Sequence, residues 1–254
     1  MDATLKRRLL ALSGLELRAR WLQATLPSWS LTQACQALGE LAEECEASDD
    51  AAAEAMLPVA LCLIRMGTED RAEGAPRLEA LSRAAAATGR LSLERLLRRG
   101  APTDPPIVRV PDYGAARELT LGERRSLARR PDRRYFPRLL ADPNPMVASI
   151  LLGNPHLTLD DVLRMTARRP ATPAVLQQIA CSPRWVARRR VRQSMLLNPG
   201  SPDEVAMPLL PLCARTELSE LVDDPSLPLV RRATAREILD RRPPLAPPTQ
   251  RTLQ

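Results

Sequence analysis

Residues 120–155 read TLGERRSLARRPDRRYFPRLLADPNPMVASILLGNP, residues 158–199 read TLDDVLRMTARRPATPAVLQQIACSPRWVARRRVRQSMLLNP, and residues 201–240 read SPDEVAMPLLPLCARTELSELVDDPSLPLVRRATAREILD. Each phrase opens with a hydroxyl residue just ahead of an acid: Thr120 with Glu123, Thr158 with Asp160 and Asp161, Ser201 with Asp203 and Glu204. These openings are spaced by 38 and 43 residues. Second markers at Asp132, Thr172 and Thr216 are spaced by 40 and 44, and third markers at Asp142-Pro143, Ser182-Pro183 and Asp224-Pro225 by 40 and 42. Three independent markers that keep one period near ~40 residues signal a helical repeat array.

The markers have a physical reading. A Ser, Thr or Asp side chain at a helix start accepts from an unpaired N–H of the first turn, and an acid at the third helical position answers it. Proline suits the first helical position, where no hydrogen bond is lost. Ala128-Arg129-Arg130-Pro131 and Ala167-Arg168-Arg169-Pro170 put cations in a last turn and then a breaker. Each phrase is therefore expected to hold three short helices, over about 120–130, 132–141 and 143–153, then 158–169, 172–181 and 183–197, then 201–214, 216–223 and 225–239. Pro137, Pro208 and Pro211 fall inside these segments, where a proline removes an N–H bond and kinks a helix.

The Asp/Ser-Pro starts, the Leu-x-Asn-Pro ends and Val230-Arg231-Arg232 resemble the armadillo and HEAT repeat families and their bacterial leucine-rich-repeat-variant relatives. The resemblance covers about half the chain. It implies an all-α fold, a right-handed α-solenoid of three-helix repeats (120–155, 158–199 and 201–240, within 117–240), preceded by an N-terminal helical segment. It also implies that the third helix of each repeat lines a concave groove, and such fold-level likeness by itself says little about function.

Residues 1–99 are helical by pattern but lack the period: Leu5, Leu9, Leu12, Ala19, Leu22 and Leu26 form one stripe. Ser30 and Gln33 form a capping box, and further helices are expected from about Asp50 to Gly67, over 75–88 and from Ser92. This segment is either a bundle of its own or a set of degenerate leading repeats. Residues 100–116, with four prolines and two glycines, read as a linker or surface strap. Residues 241–254 read as a disordered, proline-rich tail.

Composition narrows the class. Aromatics make up 2% of the chain, so the core is expected to be Leu and Ala, which favours helices over sheet. Residues 1–100 carry 13 basic and 14 acidic side chains, whereas residues 101–254 carry 24 and 16, so the basic excess belongs to the repeats and tail. All basic residues but Lys6 are arginine, a bias that a GC-rich coding sequence of bacterial type also produces. Cys35, Cys45, Cys62, Cys181 and Cys213 are odd in number and widely spaced, which reads as core thiols in a reducing compartment. No signal peptide and no long apolar run is evident, so a cytoplasmic protein without membrane contact is expected.

The candidate partner-binding residues lie on the third helices: Arg184, Trp185, Arg188, Arg189 and Arg192 in the second phrase, and Arg231, Arg232 and Arg236 in the third. In one continuous helix Arg184, Arg188 and Arg192 recur every four residues and share a face. Guanidinium rows suit carboxylate or phosphate. The same arginines also fit an ordinary solvated face that pairs with cap acids, and Trp185 fits either a partner anchor or a plug between repeats. The lone His156, and the lack of a phosphate loop, a nucleophile elbow or a histidine cluster, favour a non-enzymatic scaffold with no cofactor or metal and an acidic protein partner. Nucleic acid is the alternative partner, with a HEAT-like DNA glycosylase as its enzymatic extreme.

Overall fold

A computed structural model describes residues 3–48, 50–69, 71–101 and 107–244. Among these residues the fold is all-α, with no strand. The helices are α1 (Ala3–Ala11), α2 (Leu15–Thr25), α3 (Leu31–Glu46), α4 (Asp50–Thr68), α5 (Arg71–Ala87), α6 (Leu91–Leu97), α7 (Leu121–Arg129), α8 (Phe136–Leu139), α9 (Pro145–Leu152), α10 (Leu159–Ala167), α11 (Pro173–Cys181), α12 (Pro183–Val186), α13 (Arg189–Leu196), α14 (Asp203–Leu209), α15 (Arg215–Asp223) and α16 (Leu229–Arg241).

The N-terminal helices wrap α4, whose Ala52, Ala55, Met56, Val59, Ala60, Leu61, Cys62, Leu63 and Ile64 are all buried. A helix apolar on every side must be enclosed, and α4 is the one described helix long and apolar enough to cross a membrane. Here that surface is spent inside the protein. Met56, Val59, Cys62 and Leu63 face the N-terminal core, while Ala60, Leu61 and Ile64 join the core of the second half. On that second side α11 and α14 pack directly against α4. Helices α1, α2, α3 and α5 thus pack on α4, which also meets α11 and α14.

In the first two phrases the first helix pairs with the last: α7 with α9, and α10 with α13. The Thr120 and Thr158 caps form as expected, with Glu123 and Asp161 answering them. The third phrase departs from the pattern. Ser201 donates its hydroxyl to the Met195 carbonyl at 2.6 Å instead of capping a helix, and α14 starts after Pro202. Pro208 and Pro211 split the expected 201–214 helix into α14 and a 3-10 turn over Leu210–Leu212. It is α15 that pairs with α16, and Glu217 there accepts from the Ala214 N–H at 2.8 Å. Two of the Asx-Pro starts also shift. Asn144 rather than Asp142 caps α9, and Asp224 accepts from the Ser226 N–H ahead of an α16 that begins at Leu229.

Residues 107–118 cross the surface without helix, anchored by Tyr113, which is buried and donates to Asp142 Oδ2 at 2.6 Å. Arg124 meets the same carboxylate at 2.6 Å, so one buried acid holds strap, α7 and the approach to α9 together. Helix α16 is tied back to the N-terminal helices. Buried Glu46 on α3 accepts from Arg95 at 2.6 Å and from Ser92 at 2.7 Å, and Arg241 of α16 lies 3.0 Å away. Glu237 of α16 pairs with Arg98 at 2.8 Å. Arg242 donates to the carbonyls of Cys45, Pro211 and Cys213. Arg241 and Arg242 are thus held in the fold, contrary to the expected tail; residues 245–254 of that tail, and 102–106 of the expected linker, lie outside the described residues.

Two measurements check this closure. Glu46→Ala leaves the buried Arg95 guanidinium with only the Glu237 carboxylate, 3.4 Å away, and the urea-unfolding free energy is expected to fall by about 3 kcal/mol, the lower end of the usual cost of breaking a buried pair. Glu237 titrates below its ordinary range, first because Arg98 donates to it, and a depressed acid stabilises the fold above its ordinary value and loses that contribution as pH falls. Glu237→Gln is therefore expected to be less stable than the parent at pH 7, with the gap closing under acid.

Candidate basic interaction surface

The second phrase contains no Pro or Gly between Arg184 and Leu197, yet its last segment is two helices. The break falls at Ala187 and Arg188, where Arg188 takes an extended backbone (φ −82, ψ 113) and becomes the residue before α13. Arg192 stabilises the break by donating to the carbonyls of Val186 and Ala187 at 2.8 and 3.0 Å. Arg184, Arg188 and Arg192 therefore do not share one helical face. The four-residue ladder expected from the sequence is replaced by one residue on α12, one in the break and one on α13.

Two expected site residues are enclosed. Trp185 is 3% exposed and donates its indole N–H to the Leu152 carbonyl at 2.9 Å, so it plugs the junction between α12 and the end of α9. Arg231 is 0% exposed and donates to the carbonyls of Leu196 at 2.9 Å, Asn198 at 2.8 Å and Ser201. Desolvation lowers its pKa to about 10. Neither can be presented to a guest, because the Trp185 indole N–H and both terminal nitrogens of Arg231 are held by backbone carbonyls, and the Arg231 Nε is buried without a partner.

This use of arginine repeats. Asn154 donates to the carbonyls of Ala128 and Arg130, closing the end of α7, and Asn198 donates to those of Thr166 and Arg168, closing the end of α10. The turns made by these asparagines expose carbonyls of their own. Arg184 reaches Asn154 and Leu157 at 3.4 and 3.3 Å, and Arg231 reaches the matching Asn198 and Ser201. Arg184 also stacks on Trp185, 4.4 Å from the ring centre. Cap acids absorb further arginines: Arg133 meets Asp161 at 2.7 Å and Arg189 meets Glu217 at 2.8 Å. Burial alone would raise the Asp161 pKa, but the hydrogen bonds from Arg133 and Thr158 outweigh it and hold the carboxyl below its ordinary value. The Arg189 guanidinium is shifted up first by its bond to Glu217.

Arg188 and Arg236 are exposed and uncommitted among the described residues, and Arg232 is half-buried with its Nε unpartnered. Arg190 joins them. Once α13 restarts at Arg189, Arg190, Gln193, Ser194 and Leu197 fall on one face, at helical spacings of three and four. That face borders a cavity of about 290 Å³ between α13 and α10, whose far wall is Leu163, Ala167 and Arg169. The signal for Arg190 was the restart of the helix, which the local residues do not announce. Among the described residues no cluster of His, Cys, Asp and Glu has a metal-holding arrangement. No protein-family model, curated protein or solved structure matches the chain.

The division between committed and free arginines is measurable by unfolding. Arg231→Ala orphans the Leu196 and Ser201 carbonyls, leaves the Asn198 carbonyl with the Ser201 N–H alone and opens a void, with an expected loss of more than about 2 kcal/mol. Arg188→Ala touches no partner and is expected to stay within about 0.5 kcal/mol of the parent.

Proposed function

We propose that the chain is a non-enzymatic helical-repeat scaffold of armadillo or HEAT type that holds an acidic protein segment on the basic surface of its second half. The observation that carries this reading is that Arg188, Arg190 and Arg236, like Arg129 and Arg164, are exposed with no partner among the described residues, while Arg133, Arg184, Arg189 and Arg231 close carbonyls or pair with acids. Free guanidinium groups on a rigid helical support suit carboxylates by paired hydrogen bonds. The repeat reading is supported by the paired α7–α9 and α10–α13 helices, and by the asparagine turns at 154 and 198 with their arginine closures at 184 and 231. The right-handed solenoid is the finer form of that proposal. Five buried cysteines with no disulfide among the described residues accord with action in a reducing compartment such as the cytoplasm.

A protein partner is favoured over nucleic acid by the aromatic side chains of the basic half. Tyr113, Phe136 and Trp185 are buried, so few rings are available to stack on bases. Fluorescence anisotropy with labelled poly-glutamate and with labelled dT20 separates the two. Poly-glutamate is expected to bind the parent and to lose at least tenfold in affinity with Arg188→Glu/Arg236→Glu. Unchanged poly-glutamate binding in that variant would remove the surface from consideration, and tighter, steeply salt-dependent binding of dT20 would move the reading to nucleic acid.

A further inference from the structure

The cavity between α10 and α13 carries a more specific inference, which rests on the scaffold reading above. We infer that it takes one carboxylate of the partner, together with the apolar side chain next to it. The cavity is two-sided in character. Leu163 and Ala167 from α10, and Leu197 from the end of α13, give it apolar walls, while Arg169 and Arg190 stand at it as cations. Arg169 has one guanidinium nitrogen on the Leu197 carbonyl at 2.9 Å, which fixes the group in place while leaving its other donors unassigned. Arg190 has no partner among the described residues. Gln193 beside it is turned to Glu220 at 3.0 Å, so it does not compete for an anion in the cavity.

Two guanidinium groups at one opening, one pre-positioned and one free, match a single carboxylate that each can grip through parallel N–H donors. A volume of about 290 Å³ exceeds what one carboxylate fills, and the remaining wall is hydrocarbon. The matching ligand is therefore an aspartate or glutamate flanked by leucine-sized residues, rather than a bare anion.

Acids stand close to these cations as well. Asp224 feels both Arg169 and Arg232, although its carboxyl is held below its ordinary value first by Ser226, so Arg169 already sits in the field of an acid. Glu220 lies on the neighbouring helix, held by Gln193. Fixed negative charge at this range opposes a dianion about twice as strongly as a monoanion, because the interaction scales with the product of charges. The same scaling strengthens the attraction of Arg169 and Arg190 for a dianion, so the preference for a carboxylate rests on the apolar walls, which take the hydrocarbon beside it.

The test uses the full chain, labelled at leucine methyls and arginine nitrogens for NMR titration, with three short probes. The first is an acetylated and amidated Leu-Asp-Leu-Asp-Leu peptide, whose carboxylates are side chains alone. The second is Leu-Leu-Leu with a free C-terminus. The third is a phosphoserine analogue of the first. The Leu-Asp peptide is expected to shift the Leu163 and Leu197 methyls and the Arg190 side-chain N–H, and to bind at least tenfold more weakly to Arg190→Gln, an exposed position whose replacement leaves the fold intact. Preference for the free C-terminus over the Leu-Asp peptide would keep the carboxylate site but assign it to a chain end. Binding of the Leu-Asp peptide undiminished by Arg190→Gln would overturn the cavity while leaving the scaffold reading in place. Tighter binding of the phosphoserine peptide would overturn the choice of carboxylate. Failure of every probe, together with poly-glutamate, to bind the parent would end both.

Discussion

The interaction on which this architecture depends is the closing of helix-end carbonyls by side-chain donors. A chain cut into many short helices multiplies C-terminal carbonyls that have no partner within their own helix, and each buried one carries a desolvation cost. Asn154 and Asn198 close the ends of α7 and α10, and the carbonyls of their own turns are then closed by Arg184 and Arg231 from later in the chain. Each closure reaches roughly thirty residues forward, so it fixes the register between one unit and the next as well as completing a hydrogen bond. Guanidinium suits this task because its several donors can satisfy more than one carbonyl from one side chain, which an ammonium does with less geometric definition.

The same economy of charge explains how the two halves are joined. α4 offers apolar surface on both sides, and α11 and α14 use the side that the N-terminal helices leave. Arg65 crosses this seam, bonding the Cys181 carbonyl at 2.9 Å and Glu16 at 2.8 Å. At the far end Glu46, Arg95, Glu237 and Arg98 tie α16 to α3 and α6. Packing supplies the non-directional part of the stability, and these paired charges decide which surfaces meet.

Much of the helical content was legible from local chemistry. The boxes expected at Ser30 with Gln33 and at Thr120 with Glu123 form, the one expected at Ser201 with Glu204 does not, and Thr158 with Asp161 makes one besides. In the first two phrases the opening helix packs on the closing one, α7 on α9 and α10 on α13. What the sequence concealed depends on contacts distant along the chain or across a break. Nothing local distinguishes Ser201, which bonds Met195, from Thr158, which caps a helix. Ala187 and Arg188 are good helix formers, and only the capture of the Val186 and Ala187 carbonyls by Arg192 shows that the helix stops there. For the same reason the site was only half visible. Periodicity grouped Arg184, Arg188 and Arg192, whereas the restarted helix groups Arg190 with Gln193 and Leu197. Arg231 and Arg232 are neighbours in sequence, yet one is enclosed and the other half-exposed, a difference set by the turn at Asn198.

The central claim is that the arginines divide into those that complete the backbone of the fold and those left free for a partner. Solvent exchange of arginine side-chain protons, followed by nitrogen-15 NMR on the intact chain, measures that division directly. The account predicts slow exchange at the Arg231 guanidinium and exchange near the free-solvent rate at Arg188, Arg190 and Arg236. Equal, fast exchange at all four, Arg231 included, would contradict it.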